Sequence, residues 1–274
     1  MREGERESCR ILRITWKGGS AVKKRFAMLL AVLCAAAVAL CLAGCAKKDD
    51  KPTYQLVSEG TLTVALCPDF PPFDTLDGET PSGFDASIAR ELASRLGLQL
   101  NIETMPFDEL VQGVHDGTYD VAISALSINP SRSELVDFSS PYYLVDQAIV
   151  CKKGVYEKVS ELKGKRIAAQ AETTGYDYAK ANVSEGVVAY ETAAECFAAL
   201  ESGEVAAVVV DEPAATYLMK SAYPNCATLE TEATCEKYAV AVNKSNRALT
   251  DAINEALDQM DKDGTLSALQ KQVE

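Results

Sequence analysis

The stretch Thr61-Leu-Thr-Val-Ala-Leu66, followed by Cys67-Pro-Asp-Phe-Pro-Pro-Phe73, decides the fold class. Its first half is a short apolar run, typical of a strand that is buried on both faces. Prolines then end the strand in a stiff loop. Asp85 next begins a helical pattern in which Ile88, Leu92 and Leu96 recur every four residues. A buried strand followed by an amphipathic helix is the first unit of an α/β fold.

The alternation of strand and helix patterns continues along the chain. Further strands are predicted at 98–103, 119–124, 146–152, 166–170, 187–191, 206–211 and 238–243. Further helices are predicted at 108–116, 176–182, 193–202, 213–222 and 246–263. This order predicts parallel, doubly wound sheets that are covered on both faces.

Composition excludes several classes of function. The net charge is −13, whereas a nucleic-acid-binding protein needs a basic surface. His115 is the single histidine, which argues against histidine metal sites and His-dependent triads. The cysteines include no CxxC pair, so we expect no zinc ribbon, and no cofactor or metal is predicted. Cys226 and Cys235 form either a disulfide or two separate thiols, because sequence does not fix connectivity.

The amino terminus has the layout of a secretory signal. The basic cluster Lys23-Lys-Arg25 precedes an apolar stretch from Phe26 to Leu42. Leu42-Ala-Gly-Cys45 resembles the lipobox of bacterial lipoproteins, in which the cysteine is acylated; the alternative is a retained membrane helix. We predict a signal peptide at 1–44, lipidation of Cys45, and a tether at 45–54 that leads to an exported domain anchored on the outer face of the cell membrane or on its periplasmic side.

Polar and aromatic residues concentrate in loops that follow predicted strands, where α/β sheets bind ligands. Phe70 lies after the first strand, and Arg132 follows the loop that begins at Ser124. Thr173 and Thr174 precede a helix, and Asp211 ends a strand. Each has an ordinary alternative: core packing for the ring, a surface charge for the arginine, and helix capping for the threonines and the aspartate.

Taken together, these groups are the complement of a zwitterion. An arginine and free N–H groups suit an α-carboxylate, an aspartate suits an α-ammonium group, and aromatic rings suit a side chain. The sequence therefore predicts a site for a small amino-acid-like ligand.

The chain from Glu59 to Leu269 resembles the bacterial extracellular solute-binding proteins of family 3, the amino-acid receptors of ABC importers. The matching motifs are Gly-Thr-Leu-Thr-Val (60–64), Phe70-Pro-Pro-Phe73, Gly83-Phe-Asp85, Gly117-Thr-Tyr-Asp120, Ser127-Ile-Asn-Pro-Ser-Arg132, Val136-Asp-Phe-Ser139, Pro141-Tyr-Tyr143, Leu162-Lys-Gly-Lys-Arg-Ile167 and Asp261-Lys-Asp-Gly-Thr265.

The resemblance implies two α/β lobes joined by two crossover strands that act as a hinge. The first lobe would comprise 55–147 with 241–274, and the second 148–240. By position, Arg132 and Ser127 would hold the α-carboxylate, and Asp211 the α-ammonium group. The other residues implied in ligand binding are Phe70, Phe107, Ser124, Ala125, Gln170, Thr173, Thr174, Cys67 and Asp69.

The chain departs from relatives at two positions near this site. Relatives often carry aspartate where this chain has Cys67, and glycine where it has Glu172. A cationic ligand side chain would use Asp69 or Glu172, whereas a neutral polar one would suit Cys67 and Gln170.

The resemblance implies a receptor that is not an enzyme. It would bind a free amino acid and deliver it to the permease and ATPase of an ABC importer, with a bilayer contact through Cys45. The alternatives are an enzyme similar to cyclohexadienyl dehydratase on the same fold, for which no further acid–base pair is evident, and a ligand-sensing module.

Overall fold

The structure, a computed structural model, describes residues 54–273. The predicted signal peptide, the lipidation site Cys45 and nearly all of the tether lie outside the described residues.

The strands are β1 Thr61–Leu66, β2 Thr75–Asp77, β3 Thr80–Ser82, β4 Gln99–Thr104, β5 Val121–Ala122, β6 Val136–Phe138, β7 Tyr143–Lys152, β8 Arg166–Gln170, β9 Gly186–Tyr190, β10 Ala207–Asp211, β11 Cys226–Tyr238 and β12 Ala241–Asn243. Helices are α1 Phe84–Leu96, α2 Leu110–His115, α3 Pro130–Leu135, α4 Thr174–Tyr178, α5 Ala193–Ser202, α6 Glu212–Ser221, α7 Arg247–Lys262 and α8 Thr265–Gln270.

Two five-stranded sheets form the fold. The first sheet has the order β4-β1-β5-β12-β6, and the second has the order β11-β7-β10-β8-β9. In the first sheet β4, β1 and β5 are parallel, and β12 is antiparallel to both its neighbours. In the second sheet β10, β8 and β9 are parallel, and β7 is antiparallel to both β10 and β11. The prediction of parallel sheets is therefore right for three strands of each sheet and wrong for the others.

The chain passes between the sheets twice. It leaves the first sheet after Phe138 and enters the second at Tyr143, then leaves the second at Tyr238 and re-enters the first at Ala241. Tyr143 and Tyr238 are partners in the β7–β11 ladder, so the two passages run side by side. The molecule is thus a two-lobed α/β protein, with one sheet in each lobe.

Each sheet is packed by apolar helix faces. Ile88 and Leu92 of α1 are fully buried in the core of the first sheet, as their spacing predicts. Phe197 of α5 is fully buried in the core of the second sheet. Truncating such a side chain to alanine typically costs ~2–5 kcal/mol of folding stability. Between residues 54 and 273, no helix is both long and apolar enough to cross a membrane.

Most predicted elements agree with the structure to within two residues, and 61–66, 166–170 and 193–202 agree fully. The strand predicted at 119–124 is shorter, since only Val121 and Ala122 pair and the chain then turns at Ala125, where φ is 46°. The strand predicted at 238–243 begins at Ala241, because Tyr238 instead ends β11. The sequence patterns do not predict β2, β3, β6, β11, α3 or α8.

Candidate functional site

A cavity lies where loops that follow strands of both sheets meet. Its accessible volume is about 30 Å³. Nine of the residues implied by the resemblance line it, so residues distant in sequence converge as the zwitterion hypothesis requires. The lining consists of Phe70, Phe107, Ala125, Ser127, Arg132, Gln170, Thr173, Thr174, Gly175, Val209, Val210 and Asp211.

Arg132 is the buried cation of this cavity. The side chain of Asn129 caps α3 by accepting from the Arg132 backbone N–H at 2.8 Å. This bond fixes the backbone position from which the arginine side chain extends. The guanidinium donates to the backbone oxygens of Ser127 at 2.9 Å and Glu172 at 2.8 Å. It also lies 5.3 Å from the ring centroid of Phe107, a cation–π distance. Burial lowers the pKa of Arg132, and the carboxylate of Asp211 opposes that shift.

Asp211 is the buried carboxylate of the same cavity. Although it sits at the start of α6, its side chain makes no capping hydrogen bond within the described chain. Its two oxygens instead accept from the amide of Gln147 and the hydroxyl of Tyr238. Burial raises the pKa of Asp211 to about 7, and the charge of Glu236 adds to the rise. The helix-capping alternative for this aspartate is therefore wrong.

Glu236 of β11 joins the residues that surround the cavity. One oxygen of its carboxylate accepts from the hydroxyls of Ser127 at 2.7 Å and Thr174 at 2.5 Å. The other oxygen accepts from the side-chain amide of Gln147 at 3.0 Å. Ser127 follows β5 of the first sheet, and Thr174 follows β8 of the second, so this carboxylate links loops from both lobes.

Two half-buried aromatic rings stand at the cavity. Phe70 packs against the apolar cores of both sheets and stacks on Phe73 at 6.2 Å between centroids. Phe73 is fully buried and belongs to the core, whereas Phe70 borders the cavity. Phe107 lies against Arg132 and also borders a neighbouring cavity.

The segment from the end of β8 to the start of α4 holds four of the lining residues, namely Gln170, Thr173, Thr174 and Gly175. Thr173 caps that helix by accepting from the Tyr176 N–H at 3.1 Å, so its capping alternative is right. The amide of Gln170 donates to the backbone oxygen of Glu191 at 2.9 Å. Glu172 has φ 59°, a left-handed conformation that favours glycine, so the glycine that the resemblance implies here would adopt it without strain.

Three of the implied residues do not line this cavity. Ser124 is buried beneath it and donates to Asp74 at 3.1 Å. The thiol of Cys67 is buried and contacts Asp69 at 3.2 Å. Asp69 itself borders the neighbouring cavity beyond Phe107, whose other lining residues are Pro106, Asp108, Glu109, Ala171, Glu191 and Thr192.

A buried pair of carboxyl groups supports the cavity floor. Asp85 accepts from the backbone N–H of Ala125, and Asp74 accepts from the hydroxyl of Ser124. Both are fully buried, and burial raises the pKa of each. Their contacts hold the backbone turn at Ala125, where φ is 46°.

Sequence reasoning missed Gln147, Glu236 and Tyr238. The first two lie on β7 and β11, which run antiparallel across the passage between lobes. Polar residues at the ends of predicted crossover strands were the available signal, because the resemblance already placed those strands at the hinge.

The sequence profile of the bacterial extracellular solute-binding proteins, family 3, matches residues 62–273. The chain belongs to that family. It is 31% identical over 227 residues to the L-cystine-binding protein TcyJ of Escherichia coli (strain K12), covering 81% of this chain and 85% of that protein. Because its relatives are solute-binding proteins, it acts as an exported binding protein and not as an enzyme.

Solved structures of family-3-like binding proteins share this fold. An ancestral arginine-binding protein bound to arginine superposes with a TM-score of 0.72 at 34% identity, covering 78% of this chain and 97% of that one. The ancestral amino-acid-binding protein AncCDT-1, a precursor of cyclohexadienyl dehydratase, superposes with a TM-score of 0.73 at 31% identity, covering 78% and 96%. AncCDT-1 is itself an amino-acid-binding protein that preceded the dehydratase. Similarity to it therefore favours a binding protein over a dehydratase.

Proposed function

We propose that this protein captures a free L-amino acid between its lobes and passes it to the permease and ATPase of an ABC importer. Arg132 binds the α-carboxylate and Asp211 binds the α-ammonium group, while Phe70 and Phe107 cover the side chain. The observation that carries the proposal is the convergence of one buried cation and one buried carboxylate on a single cavity. A buried charge without a partner is costly, so a zwitterion that supplies both opposite charges is favoured.

The ligand's side chain extends toward the cavity that Asp69 borders. Four acidic residues line that cavity, namely Asp69, Asp108, Glu109 and Glu191, and none of its lining residues in the described chain is basic. This charge favours a cationic side chain over a neutral one. L-arginine is therefore the first ligand to test, followed by L-cystine, L-glutamine and L-histidine.

The remaining parts of the proposal concern closure and anchoring. The lobes, at 55–147 with 241–274 and at 148–240, close about the paired strands β7 and β11, and ligand favours the closed form. Acylated Cys45, after removal of 1–44, holds the domain to the membrane through the tether at 45–54. Loss of a lipid-sized mass and release from cells in Cys45→Ala would support the anchor.

Binding is tested with the exported protein purified in mild detergent and freed of co-purified ligand by unfolding and refolding. A ligand at ~1,000 times its Kd should stabilise the protein by roughly 4 kcal/mol, which thermal unfolding detects easily. Arg132→Ala should weaken binding at least about tenfold, because it removes a charged hydrogen-bond donor. Arg247→Ala is the matched control, since Arg247 is exposed on α7. If none of the four amino acids shifts the transition, the proposed function is wrong.

A further inference from the structure

We infer that Glu236 is a positioning residue that makes the site selective for ligands carrying an α-ammonium group. The inference rests on the proposed function and deepens it. Glu236 itself need not touch the ligand. Its role is to fix the direction in which two hydroxyl groups and one amide of the site make their hydrogen bonds.

The first step concerns the hydroxyls of Ser127 and Thr174. A hydroxyl group has a single proton, and an ionised carboxylate only accepts hydrogen bonds. Both hydroxyls donate that proton to the same oxygen of Glu236. Toward the cavity, which both residues line, they can therefore only accept. Acceptors suit an ammonium group and repel a carboxylate.

The second step concerns Gln147, which is fully buried. Its amide nitrogen donates both to Asp211 and to Glu236, so the same group holds the two carboxylates in place. Its oxygen has no hydrogen-bond partner between residues 54 and 273. A Cβ added at Gly175 would lie 2.9 Å from that oxygen, so this amide is held close against the backbone of α4.

The third step is the charge balance of the site. Asp211 and the two hydroxyls that Glu236 orients accept hydrogen bonds, whereas the guanidinium of Arg132 donates them, and Ser127 lies beside Arg132 in the first lobe. Because the hydroxyls already donate to Glu236, the ligand's carboxylate relies on Arg132 and on backbone N–H groups, so the role expected of Ser127 toward the α-carboxylate falls to its backbone and not to its hydroxyl. Glu236 thereby separates the site into an accepting half and a donating half, which fixes the orientation of a zwitterion.

The test uses Glu236→Gln, which keeps the shape of the side chain but gives it donor hydrogens. The control is Glu230→Gln, the same change at an exposed position of the same strand. Kd is measured by calorimetry for whichever of L-arginine, L-cystine, L-glutamine and L-histidine binds the wild-type protein most tightly, and for its 2-hydroxy analogue. The analogue has a hydroxyl group in place of the ammonium group.

We expect Glu236→Gln to weaken binding of the amino acid about tenfold and binding of the analogue less than about twofold. Equal losses for both compounds would indicate a merely structural role and overturn the inference. Tighter binding of the amino acid would overturn it too, because Glu236 would then compete with the ligand's carboxylate.

A second readout uses the amino acid alone. If Glu236 acts through the hydroxyl of Thr174, the double variant Glu236→Gln/Thr174→Val should bind no more than about twofold more weakly than Glu236→Gln. If the double variant instead lost binding free energy equal to the sum of the losses of Glu236→Gln and Thr174→Val measured singly, Glu236 would not act through Thr174. A wild-type protein that binds none of the four amino acids contradicts the proposed function itself, which separates the two failures.

Discussion

The guanidinium of Arg132 donates a 2.8 Å hydrogen bond to the backbone oxygen of Glu172. Arg132 belongs to α3, next to the first sheet, whereas Glu172 follows β8 of the second sheet. The bond therefore joins the two lobes at the edge of the cavity. It also falls on a residue in a left-handed conformation, with φ 59°, so a strained backbone position supplies the acceptor.

The strain at this position predicts that Glu172→Gly stabilises the protein by about 1 kcal/mol. A non-glycine residue in this conformation costs roughly 1–2 kcal/mol. Glycine removes that cost, but its greater conformational entropy in the unfolded state offsets part of the gain. The bond to Arg132 should persist, because its acceptor is a backbone oxygen. Chemical unfolding measures the change. Glu185→Gly, at an exposed position without positive φ, is the control and should destabilise. A loss of stability in Glu172→Gly would contradict the strain.

The buried carboxyl pair predicts how stability depends on pH. Burial raises the pKa of Asp85 above its usual value, so the folded state holds this proton more tightly than the unfolded state. Its contribution is full below the unfolded pKa, about 4, and is lost as pH rises toward neutrality. Asp85→Asn should therefore flatten the decline of unfolding free energy between about pH 4.5 and 7.5, as measured by urea titrations.

Asp263→Asn is the matched control for this experiment. Asp263 is exposed, and its hydrogen bonds with Thr265 hold its pKa near 2. Its contribution is lost only as pH falls below about 4, so the slope above pH 4.5 should stay as in the wild type. If the unfolding free energy of Asp85→Asn also fell with pH as steeply as that of the wild type, Asp85 would not retain its proton on folding.

Ligand binding should release protons at mildly acidic pH. The pKa of Asp211 is about 7 in the free site, mainly because of burial, and an ammonium group placed beside it lowers that pKa. Below about pH 7, affinity should fall by up to about tenfold per pH unit, because the proton must leave before the ligand binds. At pH 6 the calorimetric enthalpy should differ between phosphate and a buffer with a large ionisation enthalpy. That difference should shrink as the pH rises from 6 to about 7.8, where Asp211 is mostly ionised and the ligand's ammonium group is still mostly protonated; equal enthalpies at pH 6 would contradict this role for Asp211.

Thiol reactivity should single out Cys235. Cys67, Cys151, Cys196, Cys226 and Cys235 are all free, and the last of them alone is exposed. Nine residues of extended chain separate Cys226 from Cys235, about 30 Å, which is far beyond the span of a disulfide. A thiol reagent should modify the folded mature domain rapidly at one of these five positions, and Cys235→Ser should abolish that reaction. Slow reaction at all five would show that Cys235 is shielded.

Elements bounded by clear local signals were predictable from the sequence. Prolines follow strand 61–66, and Thr192 caps helix 193–202. The end of the strand and the start of the helix are therefore determined by residues next to them in sequence. The strand β11 carries only a weak signal: small or apolar residues alternate with polar ones between Ala227 and Cys235, as in a half-buried strand, but only Leu229 is bulky and the strand lies at a sheet edge. Its identity depends on pairing with β7, far away in sequence.

The same difference holds for the site. Arg132 and Asp211 have ordered motifs around them, and both lie in the cavity. Glu236 has no motif around it, and only its place on a crossover strand marks it, since its importance comes from contacts 62 to 109 residues away along the chain. Cys67 and Ser124 follow strands as expected, but their side chains turn beneath the cavity floor. Which way a strand-end side chain points is a matter of tertiary packing.

The pairing of Tyr143 with Tyr238 has a consequence for how such proteins diversify. Everything between these two tyrosines starts and finishes at one spot, so the segment has the geometry of an insertion into a host domain. A segment of this kind can be exchanged as a cassette without rerouting the rest of the chain. One wall of the pocket, with Gln170, Thr174 and Asp211, could then be replaced in a single recombination while the wall with Arg132 is inherited unchanged.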